Sequence, residues 1–226
     1  LIVPEPLAAT ASMSLARLLH ATVEPVSIAR EALDADIARR AEELTSQGHA
    51  AYAIPRGGAT PVGAMGFLRA VTELTEQYGA GRPATIVLPV GSGASIAGLI
   101  AGAALMHAPL RIVGVSVSRP IDEIGPMVKD LARAAIVRAG GDPADIIGVE
   151  FDLVDRRAGL PPEATRDGLR DLACRGILVD AHYGLPTWIL AEELARETVE
   201  ADRRIIVWHT GGMAAVPSLL GEIQEG

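Results

Sequence analysis

Residues 84–106 read ATIVLPVGSGASIAGLIAGAALM, and the reading of this stretch decides the fold. Ile86, Val87, Leu88 and Val90 form a short apolar run rich in β-branched residues, the pattern of a strand buried on both faces. Gly91, Ser92, Gly93, Ala94 and Ser95 then lead into a segment whose Ile96, Leu99, Ile100, Ala103 and Ala104 recur at helical spacing. The order is strand, small-residue loop, helix N-terminus. The first turn of such a helix has unpaired N–H groups and the positive end of the peptide dipole, and small residues let a phosphate approach the backbone. An anion site follows from that reading, and a tight βα turn whose glycines serve packing is the alternative the stretch leaves open. Neither the dinucleotide spacing G-x-G-x-x-G nor the Walker pattern with its lysine is present, so a nucleotide is not the favoured ligand.

Outward from this stretch, strands and helices alternate. Residues 1–3 and 21–27 read as short strands flanking a helix over 8–20, and 28–47 as an amphipathic helix with Gly48 as C-cap. Residues 51–55 (AYAIP) read as a strand, and 57–63 introduce a helix from about 64 to 77. After the central strand come a buried strand at 111–118, a helix over 127–139, a further strand within 144–154 and a loop at 157–162. A helix over 162–175, a strand at 176–180, a helix over 186–198 and a strand with a glycine turn at 204–212 complete the pattern. Strands with continuous rather than alternating apolar residues predict an α/β fold, a parallel sheet with helices on both faces. Ligands in such sheets bind beyond the carboxyl ends of the strands. The glycine-bearing ends at 91–95 and 210–212 should therefore face one crevice.

Composition bounds the function classes. The chain has 226 residues, 49% hydrophobic content and only two Trp, three Tyr and two Phe, so its core is built from aliphatic residues and Ala. A net charge of −8 and a pI near 5.1 argue against a nucleic-acid partner, because phosphate contacts need clustered Lys and Arg. No apolar run approaches the ~20 residues of a membrane span, and no signal-peptide pattern opens the chain, which reads as cytoplasmic. The chain starts at Leu1 inside a strand-like LIV, the look of a fragment or a processed chain. The one cysteine, Cys174, is expected to be a buried structural thiol, and with five scattered histidines no metal site is expected. The one lysine, Lys129, falls on the polar side of a helix whose apolar stripe is Met127, Val128, Leu131, Ala135 and Ile136.

Five motifs in order carry a family resemblance: YAIPRGGATPVGAMGFLRAVTEL (52–74), IVLPVGSGASIAGL (86–99), GVSVSRP (114–120), GILVDAHYG (176–184) and VWHTGG (207–212). They resemble the pyridoxal-phosphate enzymes of the D-cysteine desulfhydrase and 1-aminocyclopropane-1-carboxylate deaminase family, which share the tryptophan-synthase-β-like fold, fold type II. The resemblance implies pyridoxal 5′-phosphate as cofactor, with its phosphate cradled by Gly91, Ser92, Gly93, Ala94 and Ser95. It implies that Thr210 makes a hydrogen bond at the pyridine nitrogen, and that Tyr183 is a catalytic phenol near the cofactor. A neutral hydroxyl at that nitrogen favours a protonated ring less than a carboxylate would, which suits elimination of a β leaving group better than transamination. Without the resemblance, Thr210 is a strand-end residue before a glycine turn and Tyr183 a turn residue packed on the sheet end. His182 reads as a solvent-facing loop residue, His209 as a buried hydrogen-bonded histidine, and Asp180 as a turn cap.

The departures from the family pattern shape the functional expectation. The family's Schiff-base lysine lies in a region N-terminal to everything in this sequence, and Lys129 is in the wrong element to replace it. Residues 157–161 (RAGLP) resemble the family's G-Y-G-hydrophobic-P loop with Ala158 where a tyrosine is expected, and Pro186 stands where the family has a lysine after the tyrosine equivalent to Tyr183. Residues 1–55 are then the remainder of the smaller α/β domain and 56–226 the larger, cofactor-binding one. The resemblance implies a lyase or deaminase acting on a small amino acid by D-cysteine desulfhydrase-like β-elimination, its catalytic lysine outside this sequence, with 1-aminocyclopropane-1-carboxylate deaminase as an alternative. The further alternative is a catalytically silent paralogue or companion subunit that binds the cofactor or phosphate without turnover. A homodimer, or a companion chain supplying the missing N-terminal segment, is the expected assembly.

Overall fold

The computed structural model describes residues 1–197 and 204–212. The described residues divide into two compact units, Leu1–Gly57 and Gly58–Gly212.

In the first unit, β1 (Ile2–Pro4) pairs in parallel with β2 (Glu24–Val26). Helix α1 (Ala11–Leu18) connects them, and α2 (Leu33–Ser46) follows a single 3-10 turn. Asp34, in the first turn of α2, accepts from the backbone N–H of Arg56 at 2.9 Å and from its guanidinium at 3.0 Å. The expected strand at 51–55 does not form. No neighbouring strand takes up its hydrogen bonds, and Tyr52 and Ile54 stay exposed.

The second unit is a four-stranded parallel sheet in the order β5-β4-β3-β6. Its strands are β3 (Ala84–Val90), β4 (Leu110–Ser116), β5 (Glu150–Asp155) and β6 (Arg204–Val207). Ile86, Leu88, Val90 and Ile112 face α3 (Pro61–Tyr78), α4 (Ala94–Met106) and α5 (Ile121–Arg138). Val87, Val113 and Val115 face Leu190 and Ala191 of α7 (Gly184–Glu197). Both faces of the central strands are covered, as continuous apolar strands require. Helix α6 (Pro162–Cys174) precedes α7.

Helix α3 starts sharply because the Thr60 side chain accepts from the Gly63 N–H at 3.0 Å and Pro61 occupies the first helical position. It then packs on α4 at unusually short range. A Cβ on Gly98 would lie 2.2 Å from the Ala64 carbonyl oxygen, and one on Gly102 2.7 Å from that of Leu68. These two glycines, four apart on one face of α4, are the seat of α3.

Several expected boundaries shift for local reasons. Helix α5 begins six residues before the expected start, running through Pro126, and the missing N–H falls where the exposed Asp122 carbonyl can bond water instead. On its stripe Ile124 is buried and Met127 is 44% exposed, so Ile124 takes the core position assigned to Met127. Residues 176–180 are not a strand. Gly176, at φ +78°, closes α6, and the Ile177 N–H turns back to the Leu172 carbonyl at 2.9 Å, a helix-ending bond in place of a ladder bond. Cys174 is exposed at the end of α6, contrary to the expected buried thiol, because Leu169 and Leu172 form the buried side of that helix.

Candidate active site

The carboxyl ends of β3, β4, β5 and β6 lie on one edge of the sheet, because all four strands are parallel. The loop after β3 turns at Gly93, which sits at φ +91°, the left-handed conformation that favours glycine, and is the N-cap of α4. Gly93 has no side chain with which to cap this helix, and the first-turn N–H groups have no partner within the helix itself. A Cβ on Gly93 would lie 3.0 Å from Val128 and 3.4 Å from Ile124 of α5, so the turn is closed on one side by the core. Gly91, Ser92 and Ser95 are partly exposed, whereas Gly93 and Ala94 are buried. The Ser118 hydroxyl donates to the Gly91 carbonyl at 3.4 Å, tying the loop after β4 to the loop after β3.

Tyr183 stands against this loop. A Cβ on Gly91 would meet the Tyr183 ring and its hydroxyl at 3.3 Å. The absence of a side chain at position 91 thus makes room for a tyrosine, a reason not legible in the glycine pattern itself. The tyrosine is held at its backbone from two sides. Its N–H donates to Asp180 Oδ1 at 2.6 Å, and its carbonyl accepts from the Thr187 hydroxyl at 2.7 Å. The His182 ring meets the Tyr183 ring edge-on at 4.6 Å between centroids. His182 itself is exposed.

Asp180 is the buried carboxylate of the site. Its oxygens accept three backbone N–H groups, from His182 at 2.9 Å, Tyr183 at 2.6 Å and Gly184 at 3.1 Å, and so cap the turn that leads into α7. Donors at the positive end of that helix stabilise the charge.

Strand β6 continues beyond Val207 through one more bond, from the Trp208 N–H to the Val87 carbonyl at 2.8 Å, and delivers Thr210 to the same edge. Thr210, Tyr183, Asp180, Thr187, His209 and Pro89 line a narrow cleft. Tyr183 is the wall between this cleft and residues 91–95. His209 is hydrogen-bonded, as expected, but exposed rather than buried. Its ring accepts from the Gly211 N–H and reaches the Leu178 carbonyl.

The remaining sequence candidates lie apart from the cleft. Lys129 projects from α5 over the Phe151 ring of β5, 5.7 Å from its centroid, in a surface groove lined also by Ile121, Pro126 and Arg133. In the loop after β5, Arg157 pairs with Asp155 through its guanidinium and its N–H, which holds the Asp155 carboxyl below the usual range. Arg156 pairs with Glu193 of α7. Among the described residues, no group of three or more His, Cys, Asp or Glu could hold a metal, and no helix is long and apolar enough to cross a membrane.

The parallel sheet with helices on both faces is the α/β architecture of fold type II, shared with solved structures of this class. The profile of the family described as "Pyridoxal-phosphate dependent enzyme" matches residues 1–211, and the chain belongs to that family. A Pyrococcus abyssi protein, provisionally named a 1-aminocyclopropane-1-carboxylate deaminase, is 44% identical over 187 residues, covering 78% of this chain and 54% of that protein. The D-cysteine desulfhydrase of Salmonella paratyphi C is 28% identical over 186 residues, 81% of this chain and 57% of that enzyme. The crystal structure of an "ACC deaminase homologue" superposes with a TM-score of 0.80 at 25% identity, covering all of this chain and 68% of that one. The chain thus spans a little over half the length of the curated relatives it matches.

Proposed function

We propose that this chain is the cofactor-holding part of a pyridoxal-phosphate-dependent lyase or deaminase that acts on a small amino acid, with residues 56–226 as the cofactor-binding domain. The observation that carries the reading is the convergence of the uncapped α4 N-terminus, Tyr183 and Thr210 on one edge of the sheet. The family membership, and relatives named D-cysteine desulfhydrase and 1-aminocyclopropane-1-carboxylate deaminase, support it.

The residues present fit the group. Backbone N–H groups of residues 91–95 and the Ser92 and Ser95 hydroxyls would hold its phosphate at the positive end of α4. The Thr210 hydroxyl would meet the pyridine nitrogen. When bound, pyridoxal phosphate supplies an electron-withdrawing ring that stabilises negative charge at the substrate α-carbon. A hydroxyl rather than a carboxylate at the ring nitrogen limits that withdrawal and favours loss of a β leaving group over transamination. The Tyr183 hydroxyl, held at the edge of the glycine loop, is placed to donate a proton to that leaving group. Ala158 brings no phenol to the loop after β5, so among the residues of this cleft the proton donor is assigned to Tyr183.

Lys129, the one lysine in the sequence, points into the α5–β5 groove rather than the cleft. The amine that attaches the cofactor is therefore contributed from outside these 226 residues. The working enzyme is taken to be a cytoplasmic homodimer, or a complex with a companion chain that supplies this amine. A silent, cofactor-binding paralogue is the second reading, favoured by the same placement of Lys129.

Titration with pyridoxamine 5′-phosphate, which cannot condense with stray amines, tests the reading by its fluorescence. The wild-type chain should bind it saturably, and Gly93→Asp, which forces a charged side chain against Val128 and Ile124 on a left-handed residue and so displaces the loop, should abolish binding. Equal affinity in the two proteins would refute the site.

A further inference from the structure

The turn at residues 208–212 meets the segment at 178–184 at two points, one a hydrogen bond and one a close approach, and neither is part of a sheet ladder. The first is His209. The Gly211 N–H donates to its Nδ1 at 3.2 Å, so the hydrogen-bond network assigns the ring proton to Nε2, which donates to the Leu178 carbonyl at 2.9 Å. One neutral imidazole thus shapes its own turn with one nitrogen and reaches a separate segment with the other. The second is steric. A Cβ on Gly212 would lie 2.4 Å from Asp180 Oδ2, so the turn ends directly against the carboxylate that holds the Tyr183 N–H. Gly211 and Gly212 have φ of +126° and +94°, so this close approach is built from glycine conformations.

Between these two attachments lies Thr210. Its hydroxyl is borne by a short exposed turn, and exposed turns move unless something fixes them.

We propose that His209 and Asp180 form a two-point clamp that fixes Thr210 relative to Tyr183, with His209 the positioning residue for the contact at the cofactor's ring nitrogen. This rests on the cofactor reading above and adds to it a residue that touches neither cofactor nor substrate. The two ends of the ligand are held by different devices: the phosphate by α4, which the clamp does not touch, and the ring by a hydroxyl whose place depends on His209.

The division makes the clamp separable from the fold. Two probes are used on the full chain: pyridoxamine 5′-phosphate by fluorescence, and inorganic phosphate by ³¹P line broadening. In His209→Ala the affinity for pyridoxamine 5′-phosphate should fall about tenfold, the loss of roughly one hydrogen bond, while that for inorganic phosphate is unchanged. A glutamine amide reproduces the Nε2 position and an asparagine the Nδ1 position. His209→Gln, which restores the reach to Leu178, should recover most of the lost affinity, and His209→Asn, which restores only the bond within the turn, should not.

Undiminished pyridoxamine 5′-phosphate binding in His209→Ala overturns the clamp. So do equal losses in the glutamine and asparagine variants, or a parallel loss of inorganic phosphate, which would mark a general structural effect. Failure of the wild-type chain to bind pyridoxamine 5′-phosphate would instead refute the cofactor reading, and the clamp with it.

Discussion

Leu1–Gly57 and Gly58–Gly212 are built from the same kinds of element, parallel strands joined by helices, yet they bury their side chains very differently. Among the described residues of the first unit only Leu33 is buried, while Leu18, Leu19, Tyr52 and Ile54 stand 65–75% exposed. In the second unit Ile86, Leu88, Ile100, Ile112 and Ile136 are completely inaccessible. A two-stranded pair has no face large enough to cover, whereas four strands with helices on both sides do. Secondary structure alone does not make a stable unit. What differs is whether each apolar face finds a second layer.

Amide hydrogen exchange on the intact chain puts the comparison under the most strain. Amides of β3 and β4 should open only with global unfolding, and those of β1, β2 and α1 by local fluctuation, a gap of about 4 kcal/mol or ~10³ in exchange rate. Similar protection in the two units would break the contrast.

Overpacking the seat of α3 sharpens it at the next level. Gly98→Val drives side-chain atoms into the Ala64 carbonyl and the Phe67 Cβ, and should cost about 3 kcal/mol or more in chemical denaturation. A residue of the same size placed at an exposed position of α2 should change stability by no more than about 0.5 kcal/mol. Equal effects would mean that the short helix approach in the second unit is not a tight one.

The smallest effect concerns Glu192, which joins α6 to α7. It accepts from Arg175 at 2.7 Å, from the Trp188 ring nitrogen at 3.0 Å and from Arg196 at 3.2 Å, and the Arg175 hydrogen bond above all holds its carboxyl below the usual range. A folded-state pKa below the unfolded one means that the unfolded chain binds the proton more readily. The contribution is therefore present above the ordinary carboxylate range and fades as pH falls through the lowered value. Glu192→Gln should lower stability near neutral pH by less than about 1 kcal/mol, because the group is partly exposed and screened. The gap to wild type should close at acid pH, and a gap that widened there would reverse the sign of the argument.

The strongly periodic and continuously apolar stretches were legible in the sequence: β3, α4 and β4 appear where residues 84–118 place them, and the parallel sheet follows from them. The local errors share one cause. AYAIP and GILVD have the composition of strands, but a strand is defined by a partner, and partners are set by tertiary structure. The helix expected from Met127 starts at Ile121 instead, and it runs through Pro126 because the carbonyl that loses its N–H partner belongs to the exposed Asp122. At the site, residues 91–95 and Thr210 were readable as a glycine-bearing pair of strand ends, with their roles supplied by the family resemblance. The link between them was not readable, because Tyr183 against Gly91 and His209 against Leu178 join positions 92 and 31 residues apart, through contacts that leave no periodic trace.

Helix α4 has ten buried residues among its thirteen and no charged side chain, so it has no outward side on which to survive alone. Removing any one neighbour exposes it to water. Its order is therefore all-or-none with that of α3, α5 and β3, and the helix whose end would hold a phosphate is the element least able to loosen independently. Rigidity at that end of the ligand is a by-product of cooperativity in the core.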